Sequence, residues 1–123
     1  MVKITGRTRD GGHLLRHLDY ISRNGKLPLE GPDGERLHGR ADVRTLADDW
    51  TAELAVEHRR RDSPVSLSII LSMPAGTDPH RLHDASRAFA SAVFGDRHPY
   101  VFALHTDERH PHVHLTVRAL GQD

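Results

Sequence analysis

The 123-residue chain carries 17 Lys plus Arg against 17 Asp plus Glu, eleven His and no Cys. That length supports one core and leaves no room for a second domain, while the balanced charge gives no global support for a nucleic-acid partner, although a local cluster such as Arg59-Arg60-Arg61 survives it. Without cysteine, disulfides and thiolate-metal sites are excluded, and histidine and carboxylate are the ligands left.

The opening Met-Val-Lys-Ile-Thr-Gly-Arg has no long apolar stretch, and no run approaches a membrane span, which predicts a soluble cytoplasmic protein. Val2 to Thr8 reads as a strand closed by Asp10-Gly11-Gly12. Leu14, Leu15, Leu18 and Ile21 then form an i, i+4, i+7 stripe, the mark of an amphipathic helix ending near Gly25. Tyr20 lies about 240° around that wheel from Leu14, clear of the buried stripe and near Arg16 and Arg23. Lys26 to Glu30, the turn Gly31-Pro-Asp-Gly34 and Arg36 to His38 read as a small hairpin. From Asp42, a plausible N-cap, Val43, Leu46, Ala47, Trp50 and Leu54 repeat at helical spacing, with basic residues gathering at the far end and Trp50 in the core. Val65 to Met73 alternates like an interior strand. Thr77-Asp78-Pro79 starts a further helix expected to present Leu82, Ala85, Ala88, Phe89 and Ala92 to a sheet and to stop near Gly95. The order predicts an α+β domain over residues 1–123, a mainly antiparallel central sheet with packed helices. Leu120-Gly121-Gln122-Asp123 resembles the start of a turn, which predicts that downstream elements are missing.

The chemistry concentrates in His105-Thr-Asp-Glu-Arg-His110-Pro-His112-Val-His114. Tyr100 to Leu104 and the run from His112 read as two strands, with Thr106 to Pro111 closing the hairpin. If Val113, Leu115 and Val117 are buried, His112, His114, Thr116 and Arg118 share the other face, and His105 comes to stand beside His112 and His114. Three neutral imidazoles on adjacent strands suit a divalent metal with open positions for substrate. His110 falls in the turn, facing solvent or supporting the site from behind. His17, His38, His58, His80, His83 and His98 lack a matching partner in sequence and read as structural or surface residues.

Three stretches together carry a resemblance: Leu18-Asp-Tyr-Ile-Ser-Arg-Asn-Gly25, Leu71-Ser-Met-Pro-Ala-Gly-Thr77 and the histidine hairpin. The chain resembles the mobilisation-type relaxases, HUH-type DNA nicking enzymes that have the T-DNA border endonucleases among their relatives. The resemblance implies that Tyr20 attacks a phosphodiester of single-stranded DNA at a transfer origin, leaving a 5′-phosphotyrosine and a free 3′-hydroxyl. It makes His105, His112 and His114 ligands of Mg2+ or Mn2+. Asp107 matches an acidic position beside the first histidine, where it would orient an imidazole or serve as base for the tyrosine; capping the turn is its plain alternative. Ser72 falls in a serine motif that implies a phosphate or backbone contact. Arg23, Arg40, Arg59 and Arg118 are candidate phosphate contacts, Arg118 standing in the stretch where relatives carry an asparagine. Accessory relaxosome proteins and the coupling protein of a type IV secretion channel are implied as partners. The same chemistry serves replication or transposition nickases, and a non-catalytic single-strand-binding module would keep the fold without turnover. A histidine-metal oxidase or hydrolase of the double-stranded β-helix kind needs an acidic ligand soon after the His-x-His pair, and Leu115 to Leu120 has none.

Overall fold

The computed structural model describes residues 1–56, 64–95, 97–107 and 110–119. Its elements are β1 (Val2–Thr8), α1 (Gly11–Ile21), β2 (Leu29–Glu30), β3 (Arg36–Leu37), α2 (Gly39–Val56), β4 (Ser66–Ser72), α3 (Pro79–Val93), β5 (Tyr100–His105) and β6 (His112–Arg118). The strands form one six-stranded sheet in the order β1-β4-β6-β5-β2-β3, with every adjacent pair antiparallel. The expected first strand and helix, the small hairpin and the pairing of the two histidine-bearing strands are found. No described helix is long and apolar enough to cross a membrane.

Strand alternation sends residues to two faces, and each face is covered differently. One side packs under α3: Ile69 and Leu71 of β4, Tyr100 and Phe102 of β5, and Val113, Leu115 and Val117 of β6 join Leu82 and Ala90. On the other, Leu14, Leu18 and Ile21 of α1 and Val43, Ala47, Trp50 and Leu54 of α2 close on Leu29, Val65, Val101 and Ala103. The helix ends follow local chemistry. Asp10 caps α1 by accepting from the His13 N–H at 2.7 Å, and Asp78 caps α3 ahead of Pro79 by accepting from the His80 N–H at 2.9 Å. Between α1 and α2 the chain doubles back at Gly25, which has φ +84°, and a Cβ there would stand 2.5 Å from the Arg40 nitrogen. Only glycine tolerates that approach.

Two expectations about helices are corrected. α2 begins at Gly39, so Asp42 lies in its first turn and accepts from the His38 N–H at 3.0 Å instead of capping the helix. In α3 the buried positions are Leu82, Ser86 and Ala90, while Ala85, Ala88 and Ala92 are exposed. Alanine counts as apolar in a pattern but carries too little surface to decide which way a helix turns. The anchors of Leu82 and the half-buried Phe89 decide it, and Ser86 goes in with them. The basic end expected after α2, with Arg59, and the turn expected at Leu120 to Asp123 lie outside the described residues.

Candidate active site

The site is built where the end of α1 crosses the β5–β6 hairpin. Antiparallel pairing sets His105 opposite His112 and Ala103 opposite His114, so the three imidazoles share the face under α1, as alternation predicts. The rings of His105 and His114 lie with centroids 4.2 Å apart and planes inclined by 38°. Tyr20, 54% exposed, presents itself edge-on to both, 6.4 Å from the His105 centroid and 5.9 Å from that of His114. It reaches them because it lies off the apolar stripe of α1: Leu18 and Ile21 go down into the core and Tyr20 stays at its rim.

Electrostatics keep the site neutral in its interior. Burial, followed by the positive potential of His105, His17, His112 and Arg23, pulls the His114 imidazole down to about 4, so it is uncharged at neutral pH. His105 is fully buried, with Nε2 2.6 Å from the Ile21 carbonyl oxygen. A carbonyl only accepts, so Nε2 carries a proton, while Nδ1 is buried with no hydrogen-bond partner among the described residues. An uncharged His114 and a buried imidazole nitrogen without a partner suit the ligand chemistry of a divalent cation. Among the described residues, however, no three histidine or acidic groups are drawn together tightly enough to hold an ion. The ligand types fit: three imidazoles on one face, one of them with a buried ring nitrogen that makes no hydrogen bond among the described residues.

Asp107 sits on the exposed turn and grips Arg23, whose Nη2 lies 3.1 Å from each carboxylate oxygen. Partial desolvation resists its ionisation, but the Arg23 hydrogen bond and charge, with smaller backbone and His105 contributions, outweigh it and hold the carboxyl below its ordinary value. Its side chain thus accepts a hydrogen bond from the Arg23 guanidinium. That guanidinium also stands 5.5 Å from the Tyr20 ring centroid. Ser72 pairs with His112 across β4 and β6 and stands half-buried at the edge of the site. Arg40 is exposed beside Asp19 and Arg44.

Arg118 is a correction. It shares the face of the histidines but stands six residues along β6 from His112, about 20 Å at the rise of a strand. There α2 covers it: the side chain is 1% exposed and ion-paired with Glu53. Conversely, His17 has no matching partner in sequence but finds two in the fold. Its Nε2 lies 2.9 Å from Thr116 Oγ1 and 3.1 Å from Ser68 Oγ, tying α1 to β6 and β4 one turn before Tyr20. Its position at i−3 from Tyr20 was the one available signal. His17, Tyr20, Ser68 and His114 line a cleft of about 280 Å³. A second cleft of about 420 Å³, lined by Arg16, Asp19, Tyr20, Arg23 and Asn24, opens on the other side of the tyrosine.

The family model described as "Relaxase: MobA/VirD2-like, nuclease domain" matches residues 20–123, beginning at Tyr20 itself. The chain belongs to this relaxase family. It is 33% identical over 129 residues to the T-DNA border endonuclease VirD2 of Rhizobium radiobacter, covering 91% of the chain and 29% of that relative. It is 26% identical over 121 residues to a 43 kDa relaxation protein of Salmonella typhimurium, covering 89% of the chain and 32% of the relative. The relaxase domain thus spans less than a third of either relative's length. Its fold is shared with a solved structure described as "Molecular Basis of Vancomycin Resistance Transfer in Staphylococcus aureus", at a TM-score of 0.60 and 16% identity over the whole of this chain and 72% of the other.

Proposed function

We propose that this relaxase domain nicks one strand of DNA at a transfer origin and stays joined to it through Tyr20. The observation that carries the reading is the placement of Tyr20, an exposed phenol at the end of an amphipathic helix, in T-shaped contact with two imidazoles. The Tyr20 phenol gives up its proton as its oxygen attacks the phosphorus, a P–O(Tyr) bond forms, and the bond to the 3′ oxygen breaks. The 3′ oxygen leaves as a hydroxyl after taking up a proton, and the strand beyond it stays on the enzyme as a 5′-phosphotyrosine. Because one phosphoester replaces another, the step runs backward to religate without a nucleotide cofactor.

His105, His112 and His114 are the residues that would hold Mg2+ or Mn2+, and such an ion supplies charge neutralisation at the non-bridging oxygens of the phosphate. The chain's own part is positional. The Ile21 carbonyl accepts from His105 Nε2, burial keeps His114 neutral, and the clefts on both sides of Tyr20 give a single strand a path past the phenol. Ser72, at the edge of the histidine face, is placed for a phosphate or backbone contact. Single-stranded DNA is the substrate in this reading, and accessory relaxosome proteins and a type IV secretion coupling protein are the partners it calls for.

The test is a denaturing gel after incubation with Mn2+ and a labelled single-stranded pool of transfer-origin sequences. A covalent protein–DNA band that disappears with chelator and with Tyr20→Phe is the expected result. A chelator-insensitive shift on native gels with no covalent band in any condition would leave a single-strand-binding module in place of a nickase.

A further inference from the structure

The exit from α1 is unusual. Arg23 and Asn24 both take left-handed backbone angles, φ +52° and +58°, ahead of Gly25 at +84°. Two successive non-glycine residues there cost conformational energy and persist only where surrounding contacts hold them. Here the Asn24 N–H donates to the Asp19 carbonyl at 2.7 Å, the Leu27 N–H to the Ser22 carbonyl at 2.8 Å, and the Gly25 N–H to Ser22 Oγ at 3.1 Å. The result is an Arg23 side chain folded back beside Tyr20, its Cζ 5.5 Å from the ring centroid.

The group that receives this guanidinium is the Asp107 carboxylate, on the turn two residues after His105. Nη2 stands 3.1 Å from both of its oxygens. Arginine binds carboxylate and phosphate through the same donor geometry, so two carboxylate oxygens are a fair copy of two non-bridging phosphate oxygens. The copy is also loosely held: the Asp107 side chain is 61% exposed and that of Arg23 29%, and an ion pair this open to water is weak.

On the reading of Tyr20 as the residue that meets DNA, we infer that Arg23 is a phosphodiester-binding residue kept in place by Asp107, whose carboxylate occupies the phosphate position until a DNA strand displaces it. The swap gives Asp107 a definite effect on binding: its charge opposes the strand until a phosphate takes its place. The chain's zero formal charge makes such a local exchange more consequential than it would be on a broadly basic surface.

The test reads binding without chemistry. Fluorescence anisotropy with a short labelled oligothymidylate, Mn2+ present and Tyr20→Phe as the background to prevent covalent capture, is followed over a salt series. Asp107→Asn, an isosteric change on an exposed turn, should tighten binding on the order of threefold to tenfold and steepen the log–log salt slope by about 0.7, because in wild type the carboxylate set free takes up a cation and cancels the release from one single-strand phosphate contact. Arg23→Gln should weaken binding, and adding Asp107→Asn to it should recover little, the non-additivity expected of coupled residues. The inference fails if Asp107→Asn leaves affinity and slope unchanged, or tightens binding equally with and without Arg23. A wild-type covalent band alongside either of those results would remove the latch and leave the nickase reading standing, whereas no binding by any variant would remove both.

Discussion

The two faces of the sheet use the same strands for opposite purposes. Under α3, β4, β5 and β6 contribute an apolar layer, and its one buried hydroxyl without a partner among the described residues is Ser86 of the helix itself. Under α1 and α2 the same three strands contribute Ser66, Ser68, His105, Thr116 and Arg118, all buried, next to Val101 and Ala103. A two-residue period lets one strand carry a structural face and a chemical face at once. The polar face can hold imidazoles only because its inner hydroxyls are bonded to one another and to the helix, as with Thr8 and Ser66 or His17 with Thr116 and Ser68.

Breaking the dry face should have the largest effect on stability. Phe102→Ala removes a fully buried ring and should cost about 3–5 kcal/mol by urea denaturation, with the imidazole site disturbed only through loss of fold. His114→Ala, on the opposite face of the neighbouring strand, should move stability by less than about 1 kcal/mol while abolishing the covalent DNA band. Equal destabilisation by the two would mean that the polar face is as structural as the apolar one.

A smaller effect is expected at the seam between the two roles. His17→Ala leaves the buried Ser68 and Thr116 hydroxyls without the imidazole and should cost about 1–3 kcal/mol. His17→Gln, which can offer an amide to one hydroxyl, should restore part of it. If His17→Ala is silent in urea, the histidine is not what fastens α1 at this point.

The smallest effect separates the faces by pH. Glu30 is buried at the α3 side with Arg87 bonded to it, Nη2 to Oε1 at 3.0 Å, and with His83 and Arg36 nearby. The Arg87 hydrogen bond, against opposition from burial and with help from the charges of Arg87, His83 and Arg36, holds its carboxyl below the ordinary value. A depressed folded value means that this stabilisation is complete above the unfolded carboxyl pKa of about 4.3 and is lost as pH falls toward the folded one. Urea midpoints measured downward from pH 6 should therefore fall in the acid limb for wild type and less steeply for Glu30→Gln. Superimposable acid limbs would show that the pair contributes nothing.

Much of the candidate site was legible because its signals are local. Alternation over Val113, Leu115 and Val117 puts the histidines on one face, a six-residue turn sets His105 opposite His112, and the helical stripe leaves Tyr20 outside the core. Each depends on a period within one element, and a period survives whatever packs around it. The errors fall where alternation says which face but not what covers it. Arg118 has the same parity as His114, yet α2 lies over one end of β6 and not the other, and Glu53 comes from a helix whose path no strand pattern reveals. The α3 face failed for a related reason, since alanines weigh little against one leucine and one phenylalanine.

Sequence alone determined the strand and helix identities, the histidine face and the exposed tyrosine, because hydrophobic period and cap chemistry act over a few residues. Tertiary structure alone decided that β4 lies between β1 and β6, so that Ser68 and Thr116 meet under His17. It alone brought the Ile21 carbonyl to His105 and Arg23 to Asp107 across 84 residues of chain. Those contacts join groups with no shared period, and they exist only once burial of the two cores has set where α1 comes to rest on the sheet.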